Sequence, residues 1–164
     1  MRTIRITQAE YDELTGRKSV GLKRARISPL CFNSHPTGWR EQDGRLIFIY
    51  PLPPTKNSEP RNVYERSKMK HHWQRLTCDL WLESGQRRFK KIAIMPVFYC
   101  KRARDADNCL GLAWKGLQDG FSGRMIQDDK PEFLELRKVV LNSAKGTTER
   151  LEVWIEGLCG YGGE

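Results

Sequence analysis

Residues 101–130 read KRARDADNCLGLAWKGLQDGFSGRMIQDDK, and most of the surrounding elements can be placed relative to this stretch. It opens on a basic run, continues with Asp105 and Asp107, and ends with the adjacent pair Asp128 and Asp129. Carboxylates that lie close together repel one another, so such a cluster indicates a bound cation or a shared proton. Acidic pairs are also common in turns and helix caps, so the pattern needs support from its surroundings.

A helix is predicted between the two acidic pairs. Asn108 is a suitable N-cap, and Gly120 and Gly123 end the helix. Apolar residues recur at the spacing of one core-facing helix side: Leu110, Ala113, Trp114, Leu117 and Phe121. Because the chain then turns back, we expect the second acidic pair to return to the region of the first.

The segments before this stretch alternate strand and helix. Residues 89–100, FKKIAIMPVFYC, predict a strand, in which Pro96 indicates an edge position or a bulge. If its extended backbone continues, the first two aspartates share one face. Residues 64–82 predict a helix that ends at Gly85, with an apolar face of Trp73, Leu76, Leu80 and Trp81.

Three further strands complete the predicted fold. Residues 45–50, RLIFIY, form one, and residues 132–142 and 150–158 form two more that can pair as a hairpin. In LEVWIE, Leu151, Val153 and Ile155 alternate with more polar residues, which predicts one buried face. We therefore expect an α/β fold of one domain, with a mixed β-sheet packed by two main helices.

The first 44 residues are the least regular part. RTIRI predicts a short strand, and Thr7 caps a helix that ends at Gly16. The remainder mixes charge, proline and glycine without a period. We interpret residues 1–44 as an N-terminal extension, either an accessory arm or partly ordered, and residues 45–160 as the main domain.

Charge distribution points to a polyanionic partner. The chain has 29 Lys and Arg against 20 Asp and Glu, a net charge of +9. Residues 45–104 carry 14 basic and 4 acidic side chains, whereas residues 105–164 carry 7 and 11. A basic surface beside an acidic cluster suits a nuclease, because cations hold the phosphate backbone while carboxylates hold a metal.

Other features narrow the class. The 5 cysteines are widely spaced without a Cys-x-x-Cys pair, which favours reduced thiols in a cytoplasmic protein. No apolar run approaches the length of a membrane span, and no signal peptide or organic-cofactor motif is recognised.

His71 and His72 are adjacent and point in different directions on a helix, which argues against a zinc site. A hard cation such as Mg²⁺, or Mn²⁺, is the expected occupant of the carboxylate cluster.

The same residues carry a family resemblance. RARDADN, a helix and then IQDDK resemble the signature of the RusA family of Holliday junction resolvases. IFIYPLPPTKNS resembles the opening strand and Pro-Pro-x-x-Asn loop of that family, and RLEVWIE resembles its closing strand, so the resemblance covers residues 45–156. It implies a RusA-like fold, a homodimer, and Mg²⁺-dependent cleavage of branched DNA in recombination and repair.

Carried over by position, the resemblance implies metal-binding and catalytic roles for Asp105, Asp107 and Asp129, with Asp128 as an additional metal ligand. The family's catalytic lysine falls on Gly111, which is a departure from the pattern. Lys115, one helical turn further on, is a candidate to replace it, and Lys101 and Lys130 are other candidates.

Several basic and polar residues are predicted to contact DNA: Lys101, Arg102, Arg104, Lys130, Lys56, Asn57, Lys68 and Lys70. Two alternatives stay open. One is a non-catalytic DNA-binding protein, and the other is a nuclease that acts on forks, flaps or RNA.

Overall fold

The computed structural model describes residues 37–160, with side chains for residues 37–158. In chain order the elements are β1 (Gly38–Gln42), β2 (Arg45–Pro51), a short 3₁₀ turn (Lys56–Ser58), α1 (Val63–Glu83), β3 (Phe89–Cys100), α2 (Ala106–Cys109), α3 (Leu112–Phe121), β4 (Leu134–Leu136), β5 (Val140–Ser143) and β6 (Arg150–Gly160). The strand and helix predicted before residue 37 lie outside the described residues.

The strands form one mixed sheet in the order β1-β2-β6-β3-β4, with β5 also paired to β3. β1, β2, β6 and β3 pair antiparallel, whereas β4 and β5 run parallel to β3. The predicted α/β class, with a mixed sheet packed by helices in a single domain, is confirmed.

The core lies between one face of this sheet and the two longer helices. β6 contributes Leu151, Val153 and Ile155, as their alternation predicted, and all three are buried. The predicted apolar faces of α1 and α3 are confirmed, since Trp73 and Leu117 are fully buried within the same cluster. Burial of this apolar surface is the main force that holds the helices on the sheet.

Two glycines let α3 approach α1 closely. A Cβ at Gly116 would lie 2.5 Å from the carbonyl oxygen of Lys70, and one at Gly120 would lie 2.5 Å from Cβ of Thr77. Because real Cβ atoms do not approach that closely, larger residues would push the helices apart. The spacing of four residues puts both glycines on one side of α3.

β3 is an interior strand whose register shifts lie between residues 89 and 92, so the edge position or bulge predicted from Pro96 is wrong. β6 pairs along one side of β3 and includes Pro96 opposite Val153. On the other side, β4 pairs with residues 92–94 and β5 with residues 97–100. Pro96 thus falls in the gap between two short partners, where its missing N–H costs no ladder hydrogen bond.

The predicted hairpin of the last strands is also wrong, because β5 pairs with β3 while β6 lies between β2 and β3. Glu152 of β6 was expected on a wetter face, yet it is fully buried. Its carboxylate accepts hydrogen bonds from Arg40 at 3.0 Å, Arg150 at 2.9 Å and Trp154 at 3.1 Å. These donors compensate for the loss of hydration.

The sheet begins before the expected start of the domain at Arg45. β1 pairs antiparallel with β2 through a tight turn at Asp43 and Gly44, which both have positive φ angles. Asp and Gly are residues that tolerate this conformation. The boundary drawn between residues 44 and 45 therefore cuts through a β-hairpin, because the polar sequence of β1 hid its strand character.

Candidate functional site

The first acidic pair lies where β3 gives way to a short helix. Asp105 occupies the N-cap position of α2 and Asp107 lies in its first turn. The extended backbone therefore does not continue through the two aspartates, and the condition under which they would share one strand face is not met. Residues two apart at a helix start point in different directions, so the geometry of a strand face does not apply to them.

Asn108 does not cap the long helix, contrary to the prediction, because it lies within α2. Its side-chain amide donates to the carboxylate of Asp105 at 3.4 Å, and its backbone N–H donates to the Asp105 carbonyl at 3.1 Å. The stretch contains two helices instead of one, and the N-cap position of α3 is Gly111, which has no side chain to offer.

Glu59 supplies the missing cap from a distant part of the chain. Its carboxylate accepts a hydrogen bond from the backbone N–H of Leu112. It also forms an ion pair with Arg66 at 3.2 Å. The Glu59 side chain is only 9% exposed. A carboxylate at a helix N-terminus also interacts favourably with the helix dipole, so Glu59 fixes the 52–62 loop to the start of α3.

This contact explains the glycine at position 111. A Cβ there would collide with the Glu59 carboxylate and would lie 3.1 Å from Cγ of Lys56. The space that a lysine side chain at this position would enter is thus filled by the loop. Lys56, itself exposed, brings a cationic side chain past the place where the resemblance implies one.

A cavity of about 270 Å³ lies beside the first acidic pair. Its lining combines the 52–62 loop with the end of β3 and with α2: Thr55, Asn57, Ala103, Arg104, Asp105 and Asn108. Arg104 also donates to the carbonyl oxygen of Pro53 at 3.3 Å, which ties the loop to the basic run. Three residues predicted to act together, Asn57, Arg104 and Asp105, are therefore neighbours in space.

A second group of charges surrounds Asp129. The Lys115 ammonium contacts the Asp129 carboxylate and lies 3.1 Å from Asp119, which in turn accepts from Lys70 at 2.6 Å. We refer to Lys70, Lys115, Asp119 and Asp129 as the Lys115 network. The hydrogen bond from Lys115 to Asp129 raises the pKa of Lys115 above its ordinary value.

Asp119 sits at the centre of that network. Partial burial acts to raise its pKa, but hydrogen bonds from Lys70 and Lys115 outweigh burial, and the pKa lies below its ordinary value of 3.8. Asp119 therefore stays ionised at neutral pH and holds both ammonium groups.

Asp128 is paired separately from Asp129. Its carboxylate receives the Lys130 ammonium at 3.0 Å and the backbone N–H of Asp129 at 2.7 Å. The hydrogen bond from Lys130 is the main reason why the pKa of Asp128 lies below its ordinary range. The two adjacent aspartates thus have different cationic partners.

The predicted metal ligands suit a hard cation by chemistry, since all four are carboxylates. Their arrangement does not complete a site: within residues 37–158, no group of three or more His, Cys, Asp or Glu side chains is placed to hold a metal ion. The structure does not assemble Asp105, Asp107, Asp128 and Asp129 into one cluster.

The remaining predicted DNA contacts occupy different settings. Lys101 and Arg102 are exposed at the end of β3, and the Lys101 backbone N–H donates to Glu149 at 3.2 Å. Lys68 lies over the Tyr64 ring, with Nζ 4.3 Å from the centroid. Lys70 faces Asp119 instead, so its charge is already balanced by a carboxylate.

Sequence reasoning missed two carboxylates of this region. Asp119 stands four residues after Lys115, the spacing at which helix side chains meet, and could have been noticed. Glu59 is separated by 53 residues from its partner Leu112, and no local pattern joins them.

Comparison of the chain with protein-family models and with curated protein sequences gives no match. Among the helices of residues 37–160, none combines the length and apolar character needed to cross a membrane.

Proposed function

We propose that the protein is a nuclease of the metal-dependent class that binds the phosphate backbone of DNA. More specifically, we propose a RusA-like endodeoxyribonuclease that resolves four-way DNA junctions. The observation that carries the proposal is the Lys115–Asp129 contact, because it joins the helix after the first acidic pair to the second acidic pair. The contact makes neighbours of Asp129, to which the resemblance gives a metal-binding role, and Lys115, a candidate to replace the family's lysine.

The residues of the chain have separable roles in this proposal. Lys115 has an exposed side chain and two carboxylate partners, so it can exchange Asp129 for a phosphate oxygen while it keeps Asp119. Arg104 and Asn57, in the cavity beside Asp105, place a second cation and an amide where a phosphate backbone can be held.

Divalent metal belongs to the proposal through the chemistry of the aspartates. A bound Mg²⁺ or Mn²⁺ would lower the pKa of a water molecule and offset charge on the phosphate. Asp105, Asp107 and Asp129, with Asp128 beside them, are the residues proposed to hold it, although within residues 37–158 the four carboxylates do not lie in one group.

A second candidate function is DNA binding without cleavage. It is favoured by the separation of the aspartates, because within residues 37–158 Asp105, Asp107, Asp128 and Asp129 do not form one group placed to hold a metal ion. Gly111 supports the same candidate function, because the resemblance implies a catalytic lysine at that position. This candidate requires binding that does not depend on divalent metal.

Cleavage of synthetic four-way junctions, with and without Mg²⁺, distinguishes the two. The resolvase proposal predicts Mg²⁺-dependent symmetric nicks, which Asp107→Asn and Asp129→Asn abolish while junction binding persists. Asp43→Asn is a suitable control, because Asp43 lies in a turn at a positive φ angle that asparagine also adopts. Fork, flap and RNA substrates in the same assay test the broader nuclease reading. Undiminished cleavage by both site variants would refute the assignment.

A further inference from the structure

A groove on α1 concentrates positive charge away from the acidic residues described above. It has a volume of about 680 Å³ and is lined by Lys68, His71, His72, Gln74, Arg75, Cys78, Asp79 and Arg124. None of these residues lines the cavity beside Asp105. The sequence predictions include only Lys68 among them.

The α1 part of the groove is one continuous helix face. Lys68, His71, Arg75 and Asp79 recur at spacings of three and four residues, which places them in a row along the helix. The cationic part of the row, from Lys68 to Arg75, spans about 10 Å of helix. At about 3.4 Å of rise per nucleotide of one strand, this part can follow roughly three phosphates.

Arg124 completes the groove from the turn after α3. It lies close enough to Cys78 to act on its thiol, although burial is the larger effect and raises the Cys78 pKa. The α1 groove thus brings together cations from two segments that are 49 residues apart in sequence, taking Arg75 and Arg124. Only the folded chain forms this surface.

The basic side chains of the groove outnumber its carboxylates. Within residues 37–158, neither Arg75 nor Arg124 forms an ion pair, and Asp79 is the one acidic residue of the lining. Lys70, on the same helix, is instead held by Asp119. A concave surface with several arginine or lysine side chains and one carboxylate attracts a polyanion.

We propose that this α1 groove is a second phosphate-binding surface, in which Lys68, Arg75 and Arg124 hold the backbone of a nucleic-acid duplex without reading its sequence. The inference rests on the proposed function only for the identity of the ligand. It assigns DNA contacts to Arg75 and Arg124, and Lys70, which is paired with Asp119, is not part of this surface. Metal and cleavage have no part in it.

The test is binding of a short labelled DNA duplex and of a four-way junction, measured by fluorescence anisotropy in EDTA over a series of salt concentrations. Arg75→Ala/Arg124→Ala should weaken binding about tenfold or more and reduce the slope of log K against log salt by about 2. Arg75→Lys/Arg124→Lys should keep most of the affinity, since charge and not shape is required.

The control is Arg88→Ala/Lys138→Ala, which removes the same charge from two exposed positions outside the groove. It should change affinity and salt slope much less. Circular dichroism checks that all variants are folded. Equal losses in the control and groove variants, or wild-type binding by the groove variant, would overturn the proposal.

The outcomes remain separable from those for cleavage. If the groove variant loses binding and the wild-type protein cleaves no junction, or cleaves without Mg²⁺, the groove proposal stands and the resolvase proposal fails. If cleavage depends on Mg²⁺ and the groove variant binds DNA as the wild type does, the resolvase proposal stands and the groove proposal fails.

Discussion

The Glu59 carboxylate accepts a hydrogen bond from the backbone N–H of Leu112, across 53 residues of sequence. This bond caps α3, fixes the loop that carries Lys56 and Asn57, and occupies the space beside Gly111. As the loop is packed, a lysine side chain at position 111 would meet the side chains of Glu59 and Lys56. The cationic side chains near this helix start come from Lys56 and Lys115 instead.

Gly111→Ala should destabilise the protein by about 1–3 kcal/mol, because the added methyl group meets the Glu59 carboxylate. Urea unfolding of Gly111→Ala, Glu59→Ala and the double variant measures the coupling free energy between the two positions. Glu59→Ala should also be destabilising through loss of the cap, but Gly111→Ala should cost less in that background. Additive effects would show that the two positions do not interact.

Gly120→Ala should lower the free energy of unfolding by about 1–3 kcal/mol, since a Cβ at this position would lie 2.5 Å from Cβ of Thr77 on α1. Gly38→Ala is the comparison, because no atom lies within 4 Å of the Cβ it adds. Thermal denaturation, monitored by circular dichroism, gives the unfolding midpoint of each variant. A similar midpoint for both variants would argue against close packing of α1 and α3.

The Lys115 network predicts a specific acid dependence. Because the pKa of Asp119 is depressed in the folded state, its stabilising contribution is complete above 3.8 and is lost as pH falls through the folded value. Asp119→Asn should be less stable than wild type at pH 7, by less than about 1 kcal/mol after screening by solvent. The difference should shrink below pH 3.8. Urea titrations at both pH values check this, and a gap that widens in acid would contradict it.

The raised pKa of Lys115 gives a pH dependence of stability opposite to that of Asp119. Its contribution is complete below its ordinary value of 10.5 and is lost as pH rises through the higher folded value. Stability attributed to Lys115 should therefore be unchanged across neutral pH.

Under the proposed function, Lys115→Met should reduce junction cleavage by about a hundredfold, because it removes a cation placed to stabilise charge on the phosphate. Lys115→Arg should restore part of the activity. Single-turnover cleavage and junction binding are measured together, with Lys138→Met as an exposed lysine control. A cleavage rate that Lys115→Met leaves unchanged would remove Lys115 from the mechanism.

Periodic sequence patterns predicted the larger elements well. The apolar spacing around Trp73 and Leu117 and the alternation at Leu151, Val153 and Ile155 correspond to buried faces, because these patterns repeat with the periods of helix and strand. The proline at position 96 misled the prediction, since the gap between β4 and β5 that accommodates it is made by residues distant in sequence.

For the candidate site, the sequence by itself determined which charged residues are present, their order, and the helix that separates the two acidic pairs. Only the tertiary structure decided their partners: Lys115 with Asp129, Lys70 with Asp119, and Glu59 with the start of α3. It also brought Arg75 and Arg124 to one groove. Backbone periodicity is a local property that neighbouring residues record. Contacts between charges depend on how loops and helices meet after the core has packed, and no short pattern specifies that.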